Sequence, residues 1–176
     1  MKKIFLSFGL VITSLFIING CGGGVADAIN DALKNGFFAK TDINKTIADN
    51  SSVTVLMKAD TEYTTLTKLN YITLYLKHYR IGDLKIELFS PAGTKVVLSN
   101  YRGGSREVNG ITFKDDGKKS IINYKEIDTS YKPEEPLSNF NGENPKGTWR
   151  LKITDSVNNS QTGEITGYIF FINGQK

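Results

Sequence analysis

One histidine, one cysteine and 18 carboxylates are the imidazole, thiol and acidic groups of this 176-residue chain. A serine hydrolase needs its histidine to pass a proton between a nucleophilic hydroxyl and the rest of the site. His78 is in line with Leu74 and Leu76 on the apolar side of an alternating run. That position predicts a buried, hydrogen-bonding side chain. No Gly-x-Ser-x-Gly segment or Gly-Thr-Ser-Met-Ala-like segment supplies a partner serine in an exposed, strained turn. Zinc would require several Cys or His ligands, and the chain offers one of each. Glycoside hydrolysis needs only two carboxylates, but nothing in the sequence singles out a pair. No residues are therefore assigned a catalytic role.

Binding chemistry has better candidates. Calcium favours carboxylate and carbonyl oxygens grouped on loops. Asp83 enters a strand, Asp115 and Asp116 follow Thr112-Phe113-Lys114, and Glu143 sits in a long polar loop before Gly147. These four acids are the expected ligands of a structural calcium, or else turn and cap residues bonding to nearby backbone. Lys118 and Lys119 bring two positive charges beside them. Tyr71, Tyr75 and Tyr79 share the other side of the run that carries His78. They form either an exposed aromatic strip for glycan or peptide, or a face packed under the N-terminal segment or a loop, or turned toward the second sheet.

The single cysteine has its own context. Lys2 and Lys3 precede an apolar stretch from Ile4 to Ile18 that ends in Ile17-Ile18-Asn19-Gly20-Cys21. The stretch is too short and too broken for a membrane span, which takes about 20 apolar residues. An aliphatic at −3, glycine at −1 and cysteine at +1 look like a bacterial lipobox, with Asn19 departing from its usual small residue at −2. Residues 1–20 are thus expected to be a lipoprotein signal peptide and Cys21 the lipidated N-terminus, held in the membrane by two or more acyl chains. Gly22 at +2 is not the aspartate that retains lipoproteins at the inner membrane of enteric bacteria. The expected location is the cell envelope, on the outer membrane where the host has two. Without residues 1–20 the balance is 20 basic to 18 acidic, or +2, which gives no case for nucleic acid.

The rest of the chain must position these groups. Gly22 to Gly24 read as a flexible tether, and Val25 to Lys40 suit either a short helix ended by Gly36 or a partly ordered stalk. Beyond Lys40 the pattern is strand and turn. Val53, Val55 and Met57 alternate with polar neighbours, as do Ile72, Leu74 and Leu76, then Leu84, Ile86 and Leu88, then Trp149, Leu151 and Ile153. Shorter strands are expected at 95–98, 111–113 and 120–122, a long loop at 128–145, and a last strand at 163–172. Ser90-Pro91-Ala92-Gly93 has the composition of a turn. Many short strands with regular turns predict an all-β antiparallel sandwich, in one domain over 40–176, after a tether at 21–39.

Two blocks carry a family likeness: His78-Tyr-Arg-Ile-Gly-Asp-Leu-Lys-Ile-Glu-Leu-Phe-Ser-Pro-Ala-Gly-Thr94, and Phe140-Asn-Gly-Glu-Asn-Pro-Lys-Gly-Thr-Trp-Arg-Leu-Lys-Ile-Thr-Asp155. Together they resemble the P domain (Homo B domain) that follows the catalytic domain of proprotein convertases and many bacterial subtilisin-like proteases. The resemblance covers about residues 40–174 and implies a jelly-roll-like sandwich with a structural histidine at position 78. The Gly-Asp-Leu, Thr-Phe-x-Asp and Phe-Asn-Gly-Glu segments match loops that hold a structural calcium in several such domains. The usual continuation Asp-Asp-x-Ala is replaced here by Asp-Asp-Gly117-Lys118. It also implies a protein that is not an enzyme by itself: a membrane-anchored module that binds or stabilises an envelope partner such as a subtilisin-like serine endopeptidase. The alternatives are an accessory subunit of a split secreted subtilase, and a surface sandwich for adhesion or glycan binding.

Overall fold

The computed structural model describes residues 36–124 and 130–176, and these form two β-sheets packed face to face. The strands are β1 (Phe37–Lys40), β2 (Lys45–Ile47), β3 (Ser52–Ala59), β4 (Thr65–His78), β5 (Leu84–Phe89), β6 (Lys95–Asn100), β7 (Val108–Phe113), β8 (Lys119–Ser120), β9 (Ser130–Lys132), β10 (Gly147–Asp155) and β11 (Gly163–Gln175). The larger sheet runs β1-β11-β4-β7-β9-β8, with β2 paired to the start of β11. The smaller runs β3-β10-β5-β6.

The alternating runs become the central strands because one side of each can be buried. Ile72, Leu74 and Leu76 of β4 and Tyr168, Phe170 and Ile172 of β11 face the interior. Opposite them stand Val55 and Met57, Leu84, Ile86 and Leu88, and Trp149, Leu151 and Ile153. Trp149 sits at the middle, edge-on to Phe140 at 5.0 Å and 5.7 Å from Phe170. Its indole N–H donates to the Pro145 carbonyl at 2.9 Å, so this large side chain is buried without an orphaned donor. β4 is longer than its alternating core because bulges against β11, between Phe171 and Ile172 and between Asn173 and Gly174, rephase the pleat. Leu66 and Leu69 are buried as a result, although they break strict alternation with Ile72.

Several local expectations change. Phe37, Phe38 and Ala39, counted with the tether, join Lys40 in β1, where Phe38 stacks on Phe170 at 4.9 Å. Ile121–Asn123 is a 3₁₀ turn, not a strand; the Ser120 hydroxyl accepts from the Ile122 amide at its start. The loop expected over 128–145 contains β9, which pairs parallel to both β7 and β8 and is the exception to the antiparallel pattern. A 3₁₀ turn at Leu137–Phe140 follows and sinks Leu137 and Phe140 into the core.

The edge of the small sheet at β6 is closed by the segment Pro133 to Pro136. The Glu134 and Glu135 amides donate to the carbonyls of Leu98 (3.3 Å) and Val97 (3.0 Å). Their carboxylates accept in return, Glu135 from the Val97 amide at 2.7 Å and Glu134 from the Asn100 amide at 3.1 Å. Arg102 forks onto Glu134 at 2.6 and 3.1 Å and holds its carboxyl below the usual carboxylate range.

Candidate functional site

His78 ends β4 on the larger sheet, and Asp155 ends β10 on the smaller one. The alternation that buries Leu74 and Leu76 also carries the imidazole inward, and the same parity along Trp149, Leu151 and Ile153 carries in the carboxylate. They meet with both side chains 0% exposed, His78 Nε2 lying 3.1 Å from Asp155 Oδ2. Nδ1 faces the backbone of Arg80, 3.1 Å from its amide and 2.9 Å from its carbonyl. The tautomer with hydrogen on Nε2 satisfies the ring: Nε2–H donates to Asp155, and Nδ1 accepts from the Arg80 amide. Asp155 Oδ1 accepts the Val157 amide at 2.9 Å. The ring lies close over Gly163: a Cβ there would stand 2.6 Å from His78 Cδ2 and would also strike the Lys77 carbonyl.

A second carboxylate extends this clip. Asp83, in the 3₁₀ turn Ile81–Asp83, takes the Arg80 guanidinium at 3.2 Å and the Asn159 side-chain amide at 2.8 Å. Asn159 in turn receives Gln161 N–H at 3.0 Å and donates its own amide to Asp49 at 3.1 Å. One end of the sandwich is therefore tied across four segments: the end of β4, the turn before β5, the β2–β3 turn and the β10–β11 linker.

A catalytic imidazole keeps one nitrogen on its orienting carboxylate and turns the other toward a nucleophile. Here the second nitrogen is against backbone, and no serine hydroxyl is among the ring's hydrogen-bond partners. The His–Asp pair acts as a cross-sheet tie.

The four acids expected to hold calcium are spread over separate structural tasks. Asp83 belongs to the clip. Asp115 caps the Leu137–Phe140 turn, with its two oxygens taking the Leu137 amide at 2.7 Å and the Ser138 amide at 2.9 Å. Asp116 is 69% exposed and pairs with Lys114 at 3.4 Å. Glu143 gives its backbone carbonyl to the Leu66 amide, while its Oε2 is buried with no hydrogen-bond partner. Among the described residues, no three His, Cys, Asp or Glu side chains stand together as a metal ligand set. Carboxylates that do not converge, with Asp115 spent on two backbone amides and Asp83 on Arg80 and Asn159, do not fit the six to eight oxygens that calcium gathers.

The tyrosines also separate. Tyr71 and Tyr75 are half-buried on the outer face of the larger sheet, with Tyr71 6.0 Å from Phe171 on β11. Burial, helped by the nearby Tyr71, pushes the Tyr75 hydroxyl up to about 12. Tyr79 lies past the end of β4 and is 65% exposed. Cys21 and residues 1–35 lie outside the described residues.

Asp155, Arg80 and Asn159 are the site residues that sequence reasoning missed. Asp155 closes the Trp-Arg-Leu-Lys-Ile-Thr-Asp run at an inward-facing position, where an acid among Trp149, Leu151 and Ile153 requires a buried partner.

The profile of the proprotein convertase P-domain matches residues 70–170, from the middle of β4 through most of β11. The chain belongs to the P-domain family. Within this P domain the matched stretch includes both members of the His78–Asp155 tie and the buried Trp149. It is 34% identical over 95 residues to an extracellular serine protease of Aeromonas sobria, which covers 51% of this chain and 13% of that protein. It is 33% identical over 88 residues to a PC3-like endoprotease, variant B, of Hydra vulgaris, covering 49% of this chain and 10% of the relative. The matches thus span a small fraction of the relatives' length. The solved complex of the Aeromonas sobria serine protease with the chaperone ORF2 aligns with a TM-score of 0.49 at 22% identity, over 80% of this chain and 26% of that one.

Proposed function

We propose that this protein is a lipid-anchored, non-catalytic P domain that holds an envelope partner, with a subtilisin-like serine protease as the partner class. The observation that carries the non-catalytic part is the His78 clip: both imidazole nitrogens are engaged in a tie inaccessible to solvent. The protease partner is supported by the family, since the Aeromonas and Hydra proteases carry this domain within much longer chains. The anchor is supported by Cys21 alone, the single cysteine at the end of an apolar leader.

Crosslinking followed by mass spectrometry in the native envelope tests the partner. Recovery of a serine protease crosslinked to residues of the sandwich is expected. Crosslinks confined to unrelated envelope proteins would reject the protease. Fluorophosphonate labelling of the purified protein should be blank, and a stoichiometric label would overturn the non-catalytic reading. Cys21→Ser should release the protein from membranes washed in about 1 M salt while leaving its circular dichroism unchanged; unaltered retention under that wash would reject the anchor.

A further inference from the structure

The outward positions of the small sheet form rows across its four strands. One row is Leu56, Arg150, Phe89 and Lys95; the next is Thr54, Lys152, Glu87 and Val97; a third is Ser52, Thr154, Lys85 and Asn100. Lys58 stands beyond the first row, opposite Thr148. Five cations and one carboxylate therefore share this face. Glu87 is 6% exposed because Lys85 and Lys95 close over it at 3.1 and 3.7 Å. Lys58, Arg150 and Lys152 have no ion-pair partner among the described residues, and Arg150 lies over the Phe89 ring at 4.9 Å. Positions 36–124 and 130–176 hold 18 basic and 14 acidic residues, a surplus of +4. This face carries all of it, and the remaining described charges balance. The rims add acid at Glu135 on the Val97 amide, at Glu134 tied up by Arg102, and at Asp60 paired with Lys146.

We infer that this face is a docking surface for an anionic phospholipid bilayer. The cations lie on a grid about 5 Å apart between strands and about 7 Å along them, and do not converge on a point as they would around one phosphate. Leu56, in the same row as Arg150 and Lys95, is 63% exposed. An apolar side chain among cations suits the boundary between headgroups and acyl chains, where both kinds of group gain. A soluble anion gains nothing from Leu56. The surface is independent of whether Cys21 carries lipid.

The test uses the full chain incorporated from detergent into two kinds of vesicle, phosphatidylcholine alone and phosphatidylcholine with one part in about three phosphatidylglycerol. Amine labelling read by mass spectrometry then compares Lys58, Lys95 and Lys152 with Lys68 and Lys77 on β4 of the opposite sheet. The first three should label several-fold more slowly on the anionic vesicles only, and salt near 1 M should abolish the difference by shortening the screening length to about 3 Å. Each cation removed should lower the docked population about fivefold, so Lys58→Gln with Lys152→Gln should restore full labelling of Lys95. Leu56→Ser should weaken the protection with charge unchanged. Equal labelling on both vesicles would overturn the inference. So would equal protection by inorganic phosphate or poly-glutamate on phosphatidylcholine vesicles, which would assign the face to a soluble anion or an acidic polypeptide. Because the two vesicles differ only in headgroup charge, either result leaves the anchor and the protease partner standing or falling on their own tests.

Discussion

Replacing Asp155 with alanine should be among the most damaging single changes in this protein. The carboxylate accepts from His78 Nε2 and from the Val157 amide, and both members of the ion-pair geometry are 0% exposed. A buried donor stripped of its acceptor costs about 1–3 kcal/mol. The Val157 amide lies beside a partly exposed side chain and can turn to water, so the loss falls mainly on the imidazole, left buried without its acceptor. The upper end of that range, about 3 kcal/mol, is expected here, because the lost acceptor is a carboxylate in a site closed to water. For a domain of this size each kcal/mol moves Tm by about 2–4 °C, so a fall of about 6–12 °C should follow. Near-ultraviolet circular dichroism is a suitable probe, because Trp149 sits in the same core. Asp155→Asn should lose nearly as much, since its amide nitrogen must face one of the two donors. The double replacement His78→Leu with Asp155→Leu should cost less than the sum of its singles. A fall in Tm below about 2 °C for Asp155→Ala, or strict additivity in the double, would refute the tie.

Three further outcomes follow from the structure. Glu134 has its carboxyl lowered by the Arg102 hydrogen bonds, so its stabilisation is present above the ordinary carboxylate value and disappears as pH falls through the folded one. The Tm gap between wild type and Glu134→Gln should be open at pH 7 and closed well below about 4; a gap unchanged at pH 3 would contradict this. Tyr75 is raised from 10.0 to about 12, so the folded protein favours the neutral phenol, and stability held below 10 drains away as pH climbs toward 12. Tyr75→Phe should reduce that alkaline loss, and spectrophotometric titration at 295 nm should show a late-ionising class, shared with Tyr124, that is smaller by one tyrosine in the variant. Adding calcium to chelated protein should move Tm by less than about 1 °C, and a larger rise that disappears with Asp115→Ala and Asp116→Ala would reinstate these acids as ligands.

Period-two alternation made the sandwich readable: Ile72 to Leu76, Leu84 to Leu88 and Trp149 to Ile153 each bury the face the sequence marks. Alternation is silent where a bulge resets parity, so β4 reaches back to Thr65 without a sequence cue. β9 was hidden because three residues, Ser130 to Lys132, are too few to show a period, and parallel pairing with β7 depends on chain geometry elsewhere. The position of His78 was legible, whereas its partner 77 residues away was not, because no local pattern couples the ends of β4 and β10. Acidic residues on loops resembled ligands, yet Asp115 shows how the same carboxylate can be committed to two backbone amides. The basic face escaped notice because whole-chain charge averages it away. Arg150, Lys152, Lys85 and Lys95 become neighbours only when three strands are set side by side.

Glu134 and Glu135 give β6 an unusual kind of boundary. Two side chains do what a neighbouring strand's carbonyls would otherwise do. Such a rim is reversible in a way that a covering helix is not, because protonating Glu134 would leave one fewer anionic oxygen for the Asn100 amide and the Arg102 guanidinium. Part of the molecule's resistance to stacking into ribbons therefore resides in one proton's worth of chemistry, beside the Glu134 and Glu135 amides that pair with Leu98 and Val97. Acid stress, which stacks chains through bared strand edges, would be expected to start growth at Asn100.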